Sequence, residues 1–278
     1  MQTQNHAFSY LGANSGNPVM ERLARRQPVT ALGVRSARTA EIARLAKSTN
    51  HHAVWIDLEH STMPIDVAGA ICSTAQDVGL VPFVRVPERE FGVIGRLLDS
   101  GAAGIIMPRI ETAEQAADAV AACRFPPEGH RSAIATLPQF GHRRMPPAHL
   151  YEAANRSTIV KLLVESPRGI ENIEAIARVE GVDLVGIGSN DLSAELGVVG
   201  PSVHRLMREA HDAALAACAR ANKPLVIGGV AEPGYIADCI RRGAAPFLMT
   251  GIDTDILMMA MHERVSNALA SLSGLLDG

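Results

Sequence analysis

The chain has 278 residues, of which 47% are hydrophobic and 20% charged, and its formal net charge is −3. This composition excludes a disordered or fibrous chain and provides no basic field that would attract nucleic acid or an anionic membrane. No run of about 18 apolar residues is present to cross a bilayer. The cysteines form no C-x-x-C pair and follow no secretion signal, which predicts reduced thiols in a cytoplasmic protein: Cys72, Cys123, Cys218 and Cys239.

Eight short runs along the chain are predicted to be strands. Their hydrophobicity is nearly continuous, which is typical of strands buried on both faces of a parallel sheet. In chain order they cover residues 29–34, 54–59, 81–86, 104–110, 158–165, 182–188, 224–230 and 247–253.

Amphipathic patterns between these strands predict helices, most clearly at residues 37–48, 112–123, 170–179 and 201–222. Eight strand-helix units in a chain of this length predict a single (β/α)8 barrel, with a doubly wound open sheet as the alternative. We expect residues 25–278 to form this domain, including a C-terminal helix, and residues 1–24 to be an N-terminal extension.

The connection over residues 124–157 is too long for a simple joint and is rich in proline and arginine. Since it comes after the fourth strand, we expect it on the face where barrels keep their active sites, as a functional loop. The alternatives are a surface excursion and a subunit contact.

Polar side chains collect where the apolar strands end. Glu165 and Asp191 follow consecutive strands, so their carboxylates would lie near each other and suit Mg²⁺ or Mn²⁺. The alternatives are an ion pair of Glu165 with Arg85 or Arg109, and a helix N-cap at Asp191.

Two further strand ends carry candidate catalytic groups. His60 is a candidate general base, unless it is a structural histidine, and Arg85 could stabilise an enolate, unless it only pairs with Glu59. The sequence places no lysine at the reactive end, which disfavours Schiff-base chemistry; the three lysines are Lys47, Lys161 and Lys223.

Seven segments of the chain, in order, resemble the HpcH/HpaI aldolase family. They read WIDLEH (55–60), VPFVRV (81–86), LLDSGAAGIIMPRI (97–110), RFPPEGHR (124–131), VESPRG (164–169), VEGVDLVGIGSNDLS (179–193) and GIDTDIL (251–257). The resemblance covers about residues 28–270. It implies a metal-dependent, class II pyruvate aldolase on a (β/α)8 barrel of the phosphoenolpyruvate-binding type.

The resemblance also assigns roles to individual residues. Glu165 and Asp191 match the ligands of a divalent metal (Mg²⁺, Mn²⁺ or Co²⁺), and His60 matches the base. Arg85 matches the arginine that stabilises the enolate, and Asp99 matches the acid that raises the basicity of the histidine. The turn that receives the carboxylate of a pyruvate-like 2-oxo acid, whose partner is an aldehyde, corresponds to Gly188, Ser189, Asn190 and Asp191.

Departures from the family pattern surround the 2-oxo acid site. Leu163 stands where the family often has a substrate-contacting glutamine, Gly186 replaces a common aromatic residue, and the Ser189-Asn190 pair differs from the usual turn. A donor larger or more polar than pyruvate is therefore expected to be possible. Two other functions stay open: a citrate lyase β-like enzyme for acyl-CoA thioesters, using the arginines at 131, 143 and 144, and a non-catalytic barrel that binds a small acid.

Residues 255–272 carry apolar side chains on more than one helical face. This pattern indicates a homo-oligomer, and the resemblance implies a hexamer built as a trimer of dimers. The alternative is that this helix packs against its own barrel.

Overall fold

A computed structural model describes residues 16–199, 204–230 and 232–272. It contains a strand in each of the eight predicted places, and most differ from the predicted bounds by a few residues at their ends. The strands are β1 (Val29–Val34), β2 (Ala53–Asp57), β3 (Val81–Arg85), β4 (Gly104–Met107), β5 (Ile159–Val164), β6 (Leu184–Gly188), β7 (Leu225–Gly228) and β8 (Phe247–Ile252).

The strands form one parallel sheet in the order β7-β6-β5-β4-β3-β2-β1-β8. Because β1 pairs with both β2 and β8, the sheet curves until its first and last strands are neighbours. No ladder joins β8 to β7 within the described residues, and a backbone hydrogen bond from Ala245 to Leu225 (2.7 Å) bridges that seam. The predicted (β/α)8 barrel is confirmed as a nearly closed barrel, and the open doubly wound alternative is wrong.

Helices surround the barrel and extend from its ends. They are α1 (Pro18–Ala24), α2 (Glu41–Ser48), α3 (Ile65–Asp77), α4 (Ile94–Asp99), α5 (Ala113–Cys123), α6 (Pro147–Ser157), α7 (Pro167–Glu171), α8 (Ile173–Arg178), α9 (Ser189–Glu195), α10 (Arg205–Arg220), α11 (Pro233–Arg241) and α12 (Asp253–Ala270). The helix predicted at 170–179 is two short helices, α7 and α8. The first residues of the helix predicted at 201–222 lie outside the described residues.

Local sequence explains where several helices begin. Thr112 caps α5: its hydroxyl accepts the N–H of Gln115 at 3.3 Å, and the side chain of Gln115 accepts the N–H of Thr112 at 3.3 Å. This reciprocal pair satisfies two of the N–H groups that a helix start leaves open. Proline at the first position of α6 and α11 also suits the start of a helix, because it has no N–H group that would stay unpaired.

The hydrophobic core has two main parts. One lies between the strands and the surrounding helices, and the other fills the inside of the barrel. Inside the barrel, Phe83 and Phe247 meet edge to face with ring centroids 5.8 Å apart. Helix α1 closes the amino-terminal end of the barrel with three buried side chains, Val19, Met20 and Leu23. The boundary between residues 1–24 and 25–278 stays a prediction, and residues 1–15 and 273–278 lie outside the described residues.

The long connection over residues 124–157 lies on the face opposite to the predicted one. It follows α5, which returns the chain from the carboxyl ends of the strands to their amino ends, and it leads directly into β5. Arg124 fixes this position by donating to the carbonyl oxygens of Asn155 (2.8 Å) and Thr158 (2.6 Å), next to the start of β5. The expectation that this connection covers the active-site face of its own barrel is therefore wrong.

Helix α12 leaves the barrel with its apolar side chains uncovered. It contacts mainly β1 and β8, and among its residues Asp253, at its start, is buried. Leu257, Met259 and Leu269 are more than half exposed. The alternative that this helix packs along its own barrel is wrong. No described helix is both long and apolar enough to cross a membrane.

Candidate active site

A cavity of about 890 Å³ opens at the carboxyl ends of the strands and continues into the barrel. Residues on at least six strands or the segments after them line it. Five residues that the sequence singled out are among them: His60, Arg85, Leu163, Glu165 and Asp191. The turn at Gly188, Ser189 and Asn190 lies on the same wall. The structure therefore brings together almost the whole predicted site.

Glu165 directly follows β5 and is only 4% exposed. Its Oε2 accepts the backbone N–H of Arg109 at 2.9 Å, so its partner is the Arg109 main chain and not the guanidinium that the ion-pair alternative expected. Arg109 has φ of 53°, a conformation that non-glycine residues rarely adopt. Burial, together with the nearby charges of Glu59 and Asp191, raises the pKa of Glu165 to about 7.

Asp191 lies in the first turn of α9, opposite Glu165. The N-cap of that helix is Gly188, so the alternative that Asp191 is a helix cap is wrong. The nearest cation to its carboxylate is the guanidinium of Arg109, at 3.5 Å from Oδ1, and this group is also near Glu195 at 3.4 Å. Both side chains of the Arg109–Asp191 pair are about 42% exposed. Asp191 is thus a solvent-accessible carboxylate next to a buried one.

The donor set at Glu165 and Asp191 fits a hard divalent cation. Glu165 has one hydrogen bond to a main-chain N–H and is destabilised as an anion by burial and by the other carboxylates, a cost that a bound cation would offset. Within the described residues, no three His, Cys, Asp or Glu side chains are grouped so as to enclose a metal by themselves. Two carboxylates leave coordination positions for water and substrate, as Mg²⁺ sites at enzymes do.

Arg85, at the end of β3, is held rigidly by two acids. Its Nε and Nη2 donate to Asp57 at 3.0 and 2.8 Å, and its Nη1 lies 3.0 Å from Glu59. The expected pair with Glu59 is confirmed, and Asp57 is an additional partner. Burial raises the pKa of Asp57, but the hydrogen bonds and charge of Arg85 outweigh this effect and hold it below its usual value.

The Arg85 guanidinium retains two uncommitted N–H groups, because a guanidinium has five and three are engaged. Its Cζ lies 5.2 Å from the centroid of the Trp55 ring, which supports the group from the barrel interior. Arg85 therefore presents fixed donors to the cavity.

His60 faces the cavity with a half-exposed imidazole. Its main-chain N–H donates to Asp57 at 3.2 Å, which fixes the backbone, while its Nε2 lies 3.8 Å from a carboxylate oxygen of Glu59. The ring is not locked into a buried hydrogen-bond network, so the structural alternative is not supported. The imidazole of His60 is therefore accessible from the cavity.

Asp99 does not join this group within one chain. It ends α4, just before β4 begins, and thus lies toward the amino-terminal face. Its carboxylate accepts the guanidinium of Arg131 at 2.6 Å. The contact with His60 that the resemblance implied is therefore not made inside this chain, since helix α4 carries Asp99 away from the ends of the strands.

The turn after β6 provides main-chain donors next to Asp191. Gly229, with φ of 72°, keeps the space in front of this turn open, because a Cβ there would lie 3.2 Å from the nitrogen of Asn190 and 3.3 Å from that of Ser189. Ser189 Oγ lies 3.1 Å from the buried ring of His211, whose other nitrogen lies 2.8 Å from the hydroxyl of Tyr235. These linked polar groups hold the turn from the side that faces away from the cavity.

The floor of the cavity contains Lys161, which the sequence argument placed away from the reactive end. It points inward from β5, as do Leu163 and Glu165, because alternate residues of a strand face the same side. Burial, together with the charge of Arg85, lowers the pKa of Lys161 to about 8. The signal that could have found it is the single charge in the buried run IVKLLV (159–164), at the same strand parity as Glu165.

Comparisons with known proteins identify the family of the chain. The model of the family described as HpcH/HpaI aldolase/citrate lyase matches residues 34–260. A 4-hydroxy-4-methyl-2-oxoglutarate aldolase from Hapsidospora irregularis is 36% identical over 245 residues, which are 87% of this chain and 90% of that protein. A 5-keto-4-deoxy-D-glucarate aldolase from Klebsiella pneumoniae is 33% identical over 213 residues, covering 75% and 81%.

Solved structures give the same assignment of the fold. The crystal structure of an HpcH/HpaI aldolase from Desulfitobacterium hafniense superposes with a TM-score of 0.83 at 24% identity, over 89% of this chain and 95% of that one. With the family model spanning most of the barrel, the chain belongs to the HpcH/HpaI aldolase/citrate lyase family.

Proposed function

We propose that the chain is a divalent-metal-dependent aldolase that makes or cleaves the C3–C4 bond of 4-hydroxy-2-oxo acids. The products of cleavage are pyruvate, or a related 2-oxo acid, and an aldehyde or other carbonyl compound. The observation that carries this proposal is the convergence of Glu165, Asp191, Arg85 and His60 on one cavity. Relatives that cover most of this chain are named as aldolases for 4-hydroxy-4-methyl-2-oxoglutarate and 5-keto-4-deoxy-D-glucarate, which are acids of this type.

Glu165 and Asp191 hold the metal in this proposal. When bound, the metal polarises the 2-oxo group of the substrate as a Lewis acid. The main-chain N–H groups of Ser189 and Asn190 receive the substrate carboxylate, and Gly229 leaves room for its approach. Leu163 borders this position as an apolar neighbour and orients the acid by shape.

His60 carries the proton. In cleavage, its Nε2 accepts the proton of the C4 hydroxyl, and the electron pair of that O–H bond forms the new carbonyl at C4. The C3–C4 bond breaks, and its electron pair passes to C3, where it delocalises to the oxygen at C2. The two uncommitted N–H groups of Arg85 donate to this developing anion. The proton that His60 took from the C4 hydroxyl is then returned to C3, which restores the neutral imidazole and releases the 2-oxo acid.

The active form is proposed to be a homo-oligomer, specifically a hexamer built as a trimer of dimers. The uncovered apolar side chains of α12 support an oligomer, since such a surface favours burial against another chain. A role of Asp99 at His60 would then require a second copy of the chain. The four buried free cysteines suit the proposed cytoplasmic location.

The acyl-CoA lyase alternative finds less support. Its basic groove would need Arg131, but this side chain is 4% exposed and is held by Asp99 and by the ring of Phe125, 4.4 Å away. It also lies on the amino-terminal side of the barrel, away from Glu165. The aldolase is therefore the function we propose.

Pyruvate formation tests the proposal. The metal-reloaded protein is offered a panel of 4-hydroxy-2-oxo acids with coupled detection of pyruvate. Glu165→Ala should lose cleavage and metal binding, whereas His60→Ala should lose cleavage and keep the metal. Glu152→Ala, an exposed acid of α6, serves as the control and should behave as wild type. Pyruvate release that is unchanged in Glu165→Ala would contradict the proposed site.

A further inference from the structure

The floor of the cavity holds a buried amine without a partner. Lys161 is 2% exposed and lines the cavity below Leu163 and Glu165. Across residues 16–199, 204–230 and 232–272, no oxygen forms a hydrogen bond or ion pair with its Nζ; the contact found for this atom is the ring of Phe247, with its centroid at 4.8 Å. A ring face compensates only partly for the loss of water around an ammonium group.

The charges near Lys161 do not neutralise it. The charged side chain that influences the pKa of Lys161 is Arg85, which is itself a cation. The acids around Arg85 are already engaged by its guanidinium, as Asp57 and Glu59 show. Lys161 thus lacks the counter-ion that buried lysines generally have.

Trp55 lies in the wall of the same cavity. Its ring lies flat on β1, because a Cβ at Gly33 would be 2.8 to 2.9 Å from three of its atoms. Its buried indole Nε1 has no hydrogen-bond partner, but it lies against Gly33 and is closed to the cavity. The unpartnered donor for a ligand with acceptor oxygens is therefore the amine of Lys161.

Gly186 leaves room for the side chain of Lys161. A Cβ at this position would lie 2.6 Å from Leu163 Cδ2 and 3.1 Å from Lys161 Cε, so any larger residue would displace these side chains. Lys161 thus packs against β6, and the cavity that it lines reaches below the level of Glu165.

We propose that Lys161 forms a second anion-binding subsite at the floor of the cavity, beside Trp55, which takes a further carboxylate of the substrate. This inference rests on the proposed function, in which the first carboxylate binds at Ser189 and Asn190. The substrate class is a 2-oxo acid with a second anionic end that extends into the barrel. A carboxylate supplies the missing charge and a hydrogen-bond acceptor for Lys161.

Paired ligands provide the test. 2-Oxoglutarate and 2-oxovalerate have the same chain length and differ by a carboxylate against a methyl group. Since Trp55 is the single tryptophan of the chain, its fluorescence reports binding at the subsite directly, and calorimetry provides the affinities. The metal-loaded wild type should bind 2-oxoglutarate at least about tenfold more tightly than 2-oxovalerate.

Lys161→Met keeps the length of the side chain and removes its charge, and it should abolish this preference. Lys223→Met is the matched control, because Lys223 donates to the carbonyl of Val182 and does not line the cavity; it should keep the preference. Lys161→Met should unfold at the same temperature as wild type or higher, since it removes an unpaired buried charge.

Four results would overturn the inference. Equal affinities for the two acids in wild type would refute it without any variant, and a preference that survives in Lys161→Met would refute the role of the lysine. Inorganic phosphate that binds at Lys161 without any preference between the acids would assign the subsite to free anions. A covalent adduct of pyruvate at Lys161 after borohydride reduction would assign it to imine formation. All these measurements are independent of turnover, so failure of the aldolase proposal is recognised separately, by the absence of pyruvate release.

Discussion

One methyl group at Gly188 should disable the candidate metal site while leaving the barrel folded. A Cβ built at this position would lie 2.2 Å from Glu165 Oε1, 2.6 Å from its Cγ and 2.8 Å from its Cδ. Gly188 has φ of −88° and ψ of 88°, so alanine meets little backbone strain. The clash therefore concerns the carboxylate alone.

The magnitude follows from these contacts. An ordinary contact between a methyl carbon and an oxygen needs about 1 Å more than the available distance, so the carboxylate of Glu165 must move by about 1 Å. A displacement of this size costs about 100-fold in catalysis. We expect Gly188→Ala to bind Mn²⁺ at least about tenfold more weakly and to cleave its substrate about 100-fold more slowly.

The matched control is Gly228→Ala, since Gly228 is the cross-strand neighbour of Gly188 and also lines the cavity. A Cβ at Gly228 would lie 3.3 Å from the carbonyl oxygen of Ile187 and 3.5 Å from Met249 Sδ, far from any acid. Titration calorimetry with Mn²⁺ and steady-state kinetics compare the two variants with wild type. Tight Mn²⁺ binding in Gly188→Ala, or an equal loss in Gly228→Ala, would refute the reasoning.

Two further predictions concern buried polar groups that support the site. Burial lowers the pKa of His211 to about 4, below its value of about 6.5 in an unfolded chain. The stability that the neutral His211 contributes is therefore complete above pH 6.5 and is lost as the pH falls toward 4, a change of about 3 kcal/mol in the free energy of unfolding. Denaturant titrations should show a weaker pH dependence of this free energy in His211→Gln than in wild type. An unchanged pH dependence in the variant would contradict the prediction. Asp253 accepts the main-chain N–H groups of residues 35–37 and 254 at 2.7 to 3.1 Å. Asp253→Ala should lower the unfolding free energy by roughly 3 kcal/mol and Asp253→Asn by less; equal stability of Asp253→Ala and wild type would show that water replaces the carboxylate.

Local patterns predicted most of the fold because barrel strands have a strong sequence signature. The run at residues 29–34 is a strand with the predicted bounds, and buried runs of this kind recur eight times. The rule that catalytic groups follow parallel strands then placed Glu165, Arg85 and His60 at one end of the barrel, where the structure has them.

The parts that failed depend on three-dimensional direction and not on local pattern. Counting from β4 predicts the wrong face for the connection at 124–157, because α5 lies between them and reverses the direction of the chain. Asp99 was expected beside His60, but α4 carries it toward the other end, where it pairs with Arg131.

For Lys161, the sequence predicts the position along the strand but not the extent of the cavity. Its distance along the strand from Glu165 correctly places it deeper in the barrel, but only the structure shows that the cavity continues to that depth. Gly186, for example, leaves room that the side chains of Leu163 and Lys161 fill. A missing side chain is visible in the sequence, but the space that it leaves depends on which neighbours fill it.

The most direct test of the account is whether pyruvate release from a 4-hydroxy-2-oxo acid depends on the metal held by Glu165 and Asp191. The account predicts that chelation abolishes release, that Mg²⁺, Mn²⁺ or Co²⁺ restores it, and that Glu165→Gln prevents the restoration while remaining folded. Pyruvate release at the same rate in the presence of chelator, or its full restoration in Glu165→Gln, would contradict the central claim.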